Sequence, residues 1–323
     1  MKKVLALLHH YWMELAFLVT GVLAVHALLL LRLLRGHWSF NLERGGVFGD
    51  FVGGYVGTLF SLAGIIGLIV TLKEQRRSGE MESFESRYFK LLELHRSNVD
   101  EIELQGSGGR RVFVLMMREF RCIVEIVSKL AAIHGVKLER ENILHISYYC
   151  LFYGVGPNSS RILKSALKEF DPTFVSAVEA ELNRPEVKED VKRDRSFGYT
   201  PFEGHQSRLG HYYRHLFQTV QYVHQQKFDA KLKYGYTKVI RAQMSTHEQA
   251  LFLLNSRTPL GQKWWDAGLI TTYRLVKNIP QDFFDRSTEL EVEALFCDNY
   301  FEWQESFHFQ SSIAFQGKLP NQK

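Results

Sequence analysis

The chain has 323 residues, 46% of them hydrophobic, and a formal net charge of +5. Its three cysteines, Cys122, Cys150 and Cys297, are odd in number, widely spaced and without a C-x-x-C pair. That usage fits a reducing compartment better than a disulfide framework.

Two long apolar runs open the sequence. Tyr11 to Leu34 is apolar apart from Glu14, Thr20, Gly21, His26 and Arg32. At about 1.5 Å per residue it reaches roughly 36 Å, enough for a tilted bilayer crossing. Glu14 lies one turn in, within reach of headgroups. His26 lies deeper and is either a neutral side chain bonded to the neighbouring helix or a proton or ion site. Tyr11, Trp12 and Trp38 fall at the depth of aromatic belts. Lys2 and Lys3 resemble the start of a signal peptide, but the run is too long and lacks a small-x-small cleavage site, so it is read as retained.

The second run, Phe51–Leu72, carries no charge and exceeds the roughly 20 residues a crossing needs. A ladder of small residues leads into it at four-residue spacing: Gly45, Gly49, Gly53, Gly57 and Ser61. Glycine inside a helix costs about 1 kcal/mol relative to alanine. Within lipid, small-x-x-x-small spacing lets two helix backbones approach closely. Crossings at about 11–34 and 47–72, joined by the short Arg35–Gly46 connection, predict a transmembrane hairpin over residues 1–75. Lys2, Lys3, Lys73, Arg76 and Arg77 flank its open end, against Arg32, Arg35 and Arg44 at the connection, which places both termini in the cytoplasm.

Residues 76–315 read as a helical cytoplasmic domain, giving an all-α protein, with a disordered tail over 316–323. Phe84, Tyr88, Leu91, His95, Val99 and Ile102 recur at helical spacing, and no proline separates this helix from the second membrane segment. Gly106, Gly108 and Gly109 end it. Arg110–His134 is the next helix, closed by Gly135. Glu139–Tyr153 follows, then Asn158, Ser159 and Ser160 as N-cap candidates. The polar stretch Pro185–Gly210 reads as a loop. Three helices are expected over His211–Lys227, Tyr236–Asn255 and Gly261–Lys277, with Pro280 as a stop. No alternating strand pattern or internal repeat is evident.

Charge is unevenly spread. Lys227–Lys277 has nine Lys or Arg against Asp229, Glu248 and Asp266, whereas Gln281–Glu305 has eight acids against Arg286. Either these segments complement each other, or the basic segment 227–277 meets a nucleic-acid backbone. The aromatics Tyr234, Tyr236, Trp264, Trp265 and Tyr273 suit a core or a single strand alike.

Motifs for catalysis are sparse. The phosphate-binding loop, the H-E-x-x-H zinc motif, the G-x-S-x-G elbow and the kinase signatures are absent, and the Gly106–Gly109 cluster lacks the lysine a phosphate loop needs. His211 and His215 lie one helical turn apart near His205, but no carboxylate or thiolate stands at a partnering spacing. Arg and His separated by four to six intervening residues, the pattern of HEPN-type ribonucleases, occur at Arg32/His37, Arg140/His145, Arg208/His215 and Arg241/His247. With 13 histidines in the chain, four such pairs are close to chance. No catalytic residue, metal or cofactor is therefore expected.

Two C-terminal stretches carry a resemblance. The first is Gly204-His205-Gln206-Ser207-Arg208-Leu209-Gly210-His211-Tyr212-Tyr213-Arg214-His215-Leu216. The second begins Tyr236-Thr237-Lys238-Val239-Ile240-Arg241-Ala242-Gln243-Met244-Ser245, passes Glu248 and ends at Leu253-Leu254-Asn255. With the N-terminal hairpin, they resemble the phage abortive infection (AbiC-like) family, which includes the two-transmembrane effectors of some retron antiphage systems. The matching positions are Gly210, Tyr212, Arg214, Tyr236, Arg241, Gln243, Ser245, Glu248 and Asn255. Arg214 and Arg241 are expected either to pair with an acid such as Glu248, holding neighbouring helices in register, or to bind a partner's phosphates.

The resemblance implies a multi-pass inner-membrane effector. Its partner would be a reverse transcriptase with RNA-linked DNA that holds it inactive, and release would let the membrane helices self-associate and permeabilise the membrane. The alternatives are a membrane-tethered HEPN-like ribonuclease toxin and a non-lethal sensor or scaffold.

Overall fold

A computed structural model describes residues 20–24, 27, 31, 42–297 and 299–304 of the chain. It divides into two units, Met1–Met81 and Glu82–Lys323.

In the first unit, residues 20–24, 27 and 31 are helical. Most of the expected 11–34 crossing, its pairing into a hairpin, Arg32/His37 and the 316–323 tail lie outside the described residues. Helix α1 spans Leu42–Phe51, a π-turn spans Val52–Val56, and α2 runs Gly57–Asp100. Helix α1 is described from Leu42 on, inside the segment expected as the connecting loop, and Leu42, Glu43 and Arg44 are good helix formers. Among the described residues, the run from Gly45 is the one helix long and apolar enough to cross a membrane by length and composition. Its apolar side chains are exposed, including Phe51, Phe60, Leu68 and Val70, each about 60% accessible. Its hydroxyls bond backward along the helix: Ser61 Oγ to Gly57 O at 2.9 Å and Thr71 Oγ1 to Gly67 O at 2.9 Å. Such bonds satisfy a hydroxyl without an external partner.

The π-turn changes the geometry of the glycine ladder. At 3.6 residues per turn, each four-residue step overshoots a full turn by about 40°. A pure α-helix would therefore wrap the ladder around its surface. The wider π-turn between Gly49 and Gly57 cancels part of that drift and brings the small residues nearer one line. A Cβ on Gly49, Gly53 or Gly57 would meet nothing within 4 Å, so the line is open.

The second unit is a helical assembly around α3, Arg110–Ile133. The closing turns of α2 present Phe84, Tyr88, Leu92, His95 and Val99 to its core; Leu92, rather than Leu91, takes the buried position. A tight hairpin, β1 (Glu103–Leu104) with antiparallel β2 (Ser107–Gly108), then turns the chain into α3. Gly109 sits there at φ +61°, a conformation open mainly to glycine. α3 buries Val112, Phe113, Met116, Met117, Phe120, Ile123 and Val127. It packs against α4 (Arg140–Tyr153), α6 (Pro172–Asn183) and α10 (Thr246–Ser256). Its C-terminal turn ends at His134, with Gly135 at φ +68°.

Several boundaries differ from expectation. Pro185–Gly210 is not a loop throughout: α7 spans Pro185–Asp194. It buries no residue and so lacks the apolar period that marks a helix in sequence. Proline at the first turn, Glu186 in that turn and Lys192 and Arg193 in the last turn sustain it. Pro172 likewise opens α6, where the Asp171 carboxylate accepts from the Thr173 and Phe174 amides. Ser159 caps the short α5 (Ser160–Ala166) by position, without a side-chain bond. α8 runs Gln206–His224, five residues earlier than predicted. The single helix expected over Tyr236–Asn255 is two, α9 (Ala230–Ala242) and α10, because Ser245 and Glu248 form a capping box that starts a new helix. Gly261–Lys277 holds only the one-turn helices α11 (Lys263–Asp266) and α12 (Leu269–Thr272), separated by Gly268 at φ +62°. A 3-10 turn at Val292–Leu295 follows.

Candidate functional site

The motif residues of the C-terminal half converge on two buried polar centres and one open cleft. The first centre is Glu248, fully buried at the start of α10. Its Oε2 accepts from the Ser245 amide at 2.7 Å, and Ser245 Oγ accepts from the Glu248 amide at 3.3 Å. Tyr212 OH donates to Oε1 at 3.1 Å, and Arg110 Nε stands 3.7 Å from Oε2. Arg110 also donates to the Gln243 carbonyl at 2.7 Å. One carboxylate thus ties α8, α10 and the start of α3 together. Burial and the Glu248 charge raise the Tyr212 hydroxyl pKa well above its usual value, so it stays a donor.

The expected pairing of Arg214 or Arg241 with Glu248 does not form; Arg110 stands beside Glu248 instead. Arg241 is buried and donates to the carbonyls of Tyr273 at 3.2 Å and Arg274 at 3.0 Å. Its guanidinium lies 5.8 Å from the Tyr234 ring centroid. Arg241 therefore holds the α12 end by filling backbone acceptors, which a flat, multi-donor cation does well. Arg214 folds back along α8, donating Nε to Gly210 O at 2.9 Å.

The other motif residues are structural contacts. Tyr236 donates to Glu85 Oε1 at 2.7 Å and its carbonyl accepts from Tyr88 OH at 2.8 Å, pinning α9 to α2. Phe84 and Tyr88 each meet the Tyr236 ring edge-on with centroids 4.9 Å apart, and stack on each other at 5.9 Å. Asn255 Nδ2 donates to Tyr148 OH at 3.0 Å. The turn after α10 passes so close that a Cβ on Gly261 would stand 2.5 Å from Ser256 Cα.

The second centre was not expected from the sequence. Glu119 lies inside α3 with no exposed surface. It accepts from Tyr199 OH at 2.7 Å and the Phe202 amide at 2.7 Å, and meets His205 Nε2 at 3.0 Å. Burial pushes its pKa up, but the His205 charge and these hydrogen bonds outweigh burial and hold it below the usual carboxylate value. The readable signal was an acid interrupting the apolar face of a predicted helix. The Phe202–His205 segment is fixed on its other side by α4: Val155 N donates to Phe202 O at 2.9 Å and His205 N to Phe152 O at 3.0 Å. Gly154 and Gly204 cross there at positive φ, and a Cβ on Gly154 would stand 2.5 Å from the Glu203 carbonyl group.

His95 and His215 stack near Glu248, their centroids 6.1 Å apart, with all four ring nitrogens buried and unpartnered. Burial first, then His215 and Arg110, lowers the His95 pKa to about 4; burial lowers His215 as well. Among the described residues no group of three or more His, Cys, Asp or Glu is placed to hold a metal. His205 instead bonds Glu119.

Of the Arg/His pairs, Arg208 and His215 line one cleft with His211 and Arg214. His145 packs edge-on against Tyr149 and Phe170 and stands 3.6 Å from Glu169. His247 packs against Phe283 at 5.1 Å, while Arg241 serves the carbonyls above. The acidic C-terminal segment ties to α3 at Glu289, which pairs with Arg121 at 2.9 Å. It also packs on the basic segment: Tyr300 OH donates to Ile270 O at 2.8 Å, the Glu302 amide to Lys277 O at 3.1 Å, and Phe296 stacks on Trp265 with centroids 5.5 Å apart.

Residues 204–284 match the model of the family described as "Putative phage abortive infection protein". The matched segment comprises α8, α9, α10, the two one-turn helices and the Phe283–Phe284 turn, and it contains every motif residue named above. Comparison with curated proteins and with solved structures returns no match. The family match supports a role in antiphage abortive infection.

Proposed function

We propose that the protein is a membrane effector of abortive infection that permeabilises or depolarises the inner membrane once released from an inhibitory partner. The observation that carries this reading is the exposed apolar helical run from Gly45. Such a surface is stable only in an apolar surrounding, and in a defence protein the bilayer is both that surrounding and a lethal target. In this account the chain is multi-pass, with residues 11–34 as the first crossing and both termini in the cytoplasm. The second unit receives the inhibitory signal. The partner fits a reverse transcriptase carrying RNA-linked DNA, as in a retron, with the basic segment 227–277 as its contact.

The switching element is the glycine ladder. Its small residues support two packings, within one hairpin or between copies, and a switch needs an element with two arrangements of similar energy. The π-turn supports this role, since it aligns the ladder and leaves backbone groups that are easily re-paired.

Expression of the chain without a partner, followed by membrane potential and entry of an impermeant dye, tests the proposal. Loss of potential with dye entry before growth arrest is the expected result. Arrest with an intact potential would sink it. Gly53→Leu should relieve toxicity while the protein stays in the membrane fraction; unchanged toxicity would make the ladder a packing feature only.

A further inference from the structure

We infer that the cleft between α8 and the Asn98–Glu103 segment binds a nucleoside phosphate. The cleft has a volume of about 670 Å³, within the range of small-molecule sites. One wall is a single face of α8: Ser207, Arg208, His211, Arg214, His215 and Gln218 recur at three- and four-residue steps. The facing wall carries Asn98, Glu101 and Glu103.

The two arginines are set for an incoming anion. Arg208 spends its Nε on the Glu103 carbonyl at 2.8 Å, and Arg214 spends its Nε on Gly210 O at 2.9 Å. Each bond fixes the guanidinium plane and leaves the two terminal amino groups for a ligand. Neither arginine pairs with a carboxylate among the described residues. Paired terminal amines suit bidentate contact with phosphate oxygens. His215 lines the same wall, its ring stacked on His95 with centroids 6.1 Å apart.

The acidic wall selects the class of phosphate. Glu101 and Glu103 oppose a long polyanion, since a continuing strand would carry further phosphates past them. They accept well from ribose hydroxyls and base amino groups. A lining that is cationic on one wall and acidic on the other therefore fits a ligand anionic at one end and rich in donors at the other. This inference does not depend on the membrane reading.

Calorimetric titration of the full-length chain in detergent with ATP, inorganic phosphate and a short single-stranded DNA tests it. ATP should saturate one site per chain, at least tenfold tighter than inorganic phosphate. Arg208→Gln with Arg214→Gln should weaken ATP at least tenfold with an unchanged melting temperature, and Glu101→Gln with Glu103→Gln should erase the preference over inorganic phosphate. Absence of saturable ATP binding up to about 1 mM, binding that survives the arginine substitutions, or DNA binding without ATP binding would each overturn it.

Discussion

The two units of the chain answer the same physical demand in opposite ways. In Glu82–Lys323 a packed core holds many of the large apolar side chains: Tyr88, Phe113, Phe120, Tyr148, Phe252 and Phe301 are all inaccessible or nearly so. The buried acids Glu119 and Glu248 are each surrounded by donors. In Met1–Met81 the apolar residues of the helical run point outward, and the polar hydroxyls bond inward to their own backbone. The first arrangement is that of a water-soluble core; the second is suited to an apolar solvent, where backbone and side-chain polar groups are satisfied within the helix. The segment that matches the abortive-infection family model lies wholly in the packed unit, where its motif residues serve as structural contacts. The proposed lethal action lies in the other unit.

The contrast can be broken at specific residues. The largest effect is expected at Glu119. Glu119→Ala leaves the Tyr199 hydroxyl, the Phe202 amide and His205 buried without their acceptor, at a cost of about 3–5 kcal/mol. The melting temperature of the second unit should fall by roughly 10 °C, and an unshifted melt would show that the centre is not a structural tie. Next is His95. Its folded pKa of about 4 lies below the ordinary 6.5, so the unfolded chain binds the proton more readily. The stabilisation is complete above pH 6.5 and is lost as pH falls toward 4, in total about 3 kcal/mol. His95→Phe should flatten that acid limb in urea melts at pH 7 and pH 5; an identical pH slope would remove His95 as its source.

Smaller effects sharpen the comparison. Ser245→Ala removes one half of the capping box and should cost about 1 kcal/mol. Arg214→Gln loses one exposed bond to its own helix and should stay within about 0.5 kcal/mol, whereas Arg241→Gln, which strips donors from two buried carbonyls, should cost distinctly more. Equal effects would contradict the different roles seen for these two arginines. Smallest of all, Leu68→Ala should leave the unfolding of the second unit unchanged, because Leu68 is exposed and packs into no protein core.

How far the sequence could be read follows the same division. The α2, α3 and α4 helices were legible because apolar period, glycine stops and length agreed. The α9–α10 break was not, since Gln243, Met244 and Ser245 interrupt no hydrophobic pattern and the capping box becomes decisive only with its geometry. The α7 helix was hidden by the lack of any buried face. Among the motif residues, the importance of Glu248 was legible, but its partners were not: Tyr212 and Arg110 stand 36 and 138 residues away in sequence. The π-turn had no sequence signal beyond the Gly53–Gly54 pair, yet it alters what the four-residue ladder means.

The central claim is that the N-terminal unit acts on a bilayer. Purified full-length chain added to liposomes of inner-membrane lipid, loaded with a self-quenching dye, tests it with protein and membrane alone. The account predicts dye release by the full-length chain, reduced release by Gly53→Leu, and none by residues 82–323. Vesicles that stay sealed with the full-length chain inserted would contradict it.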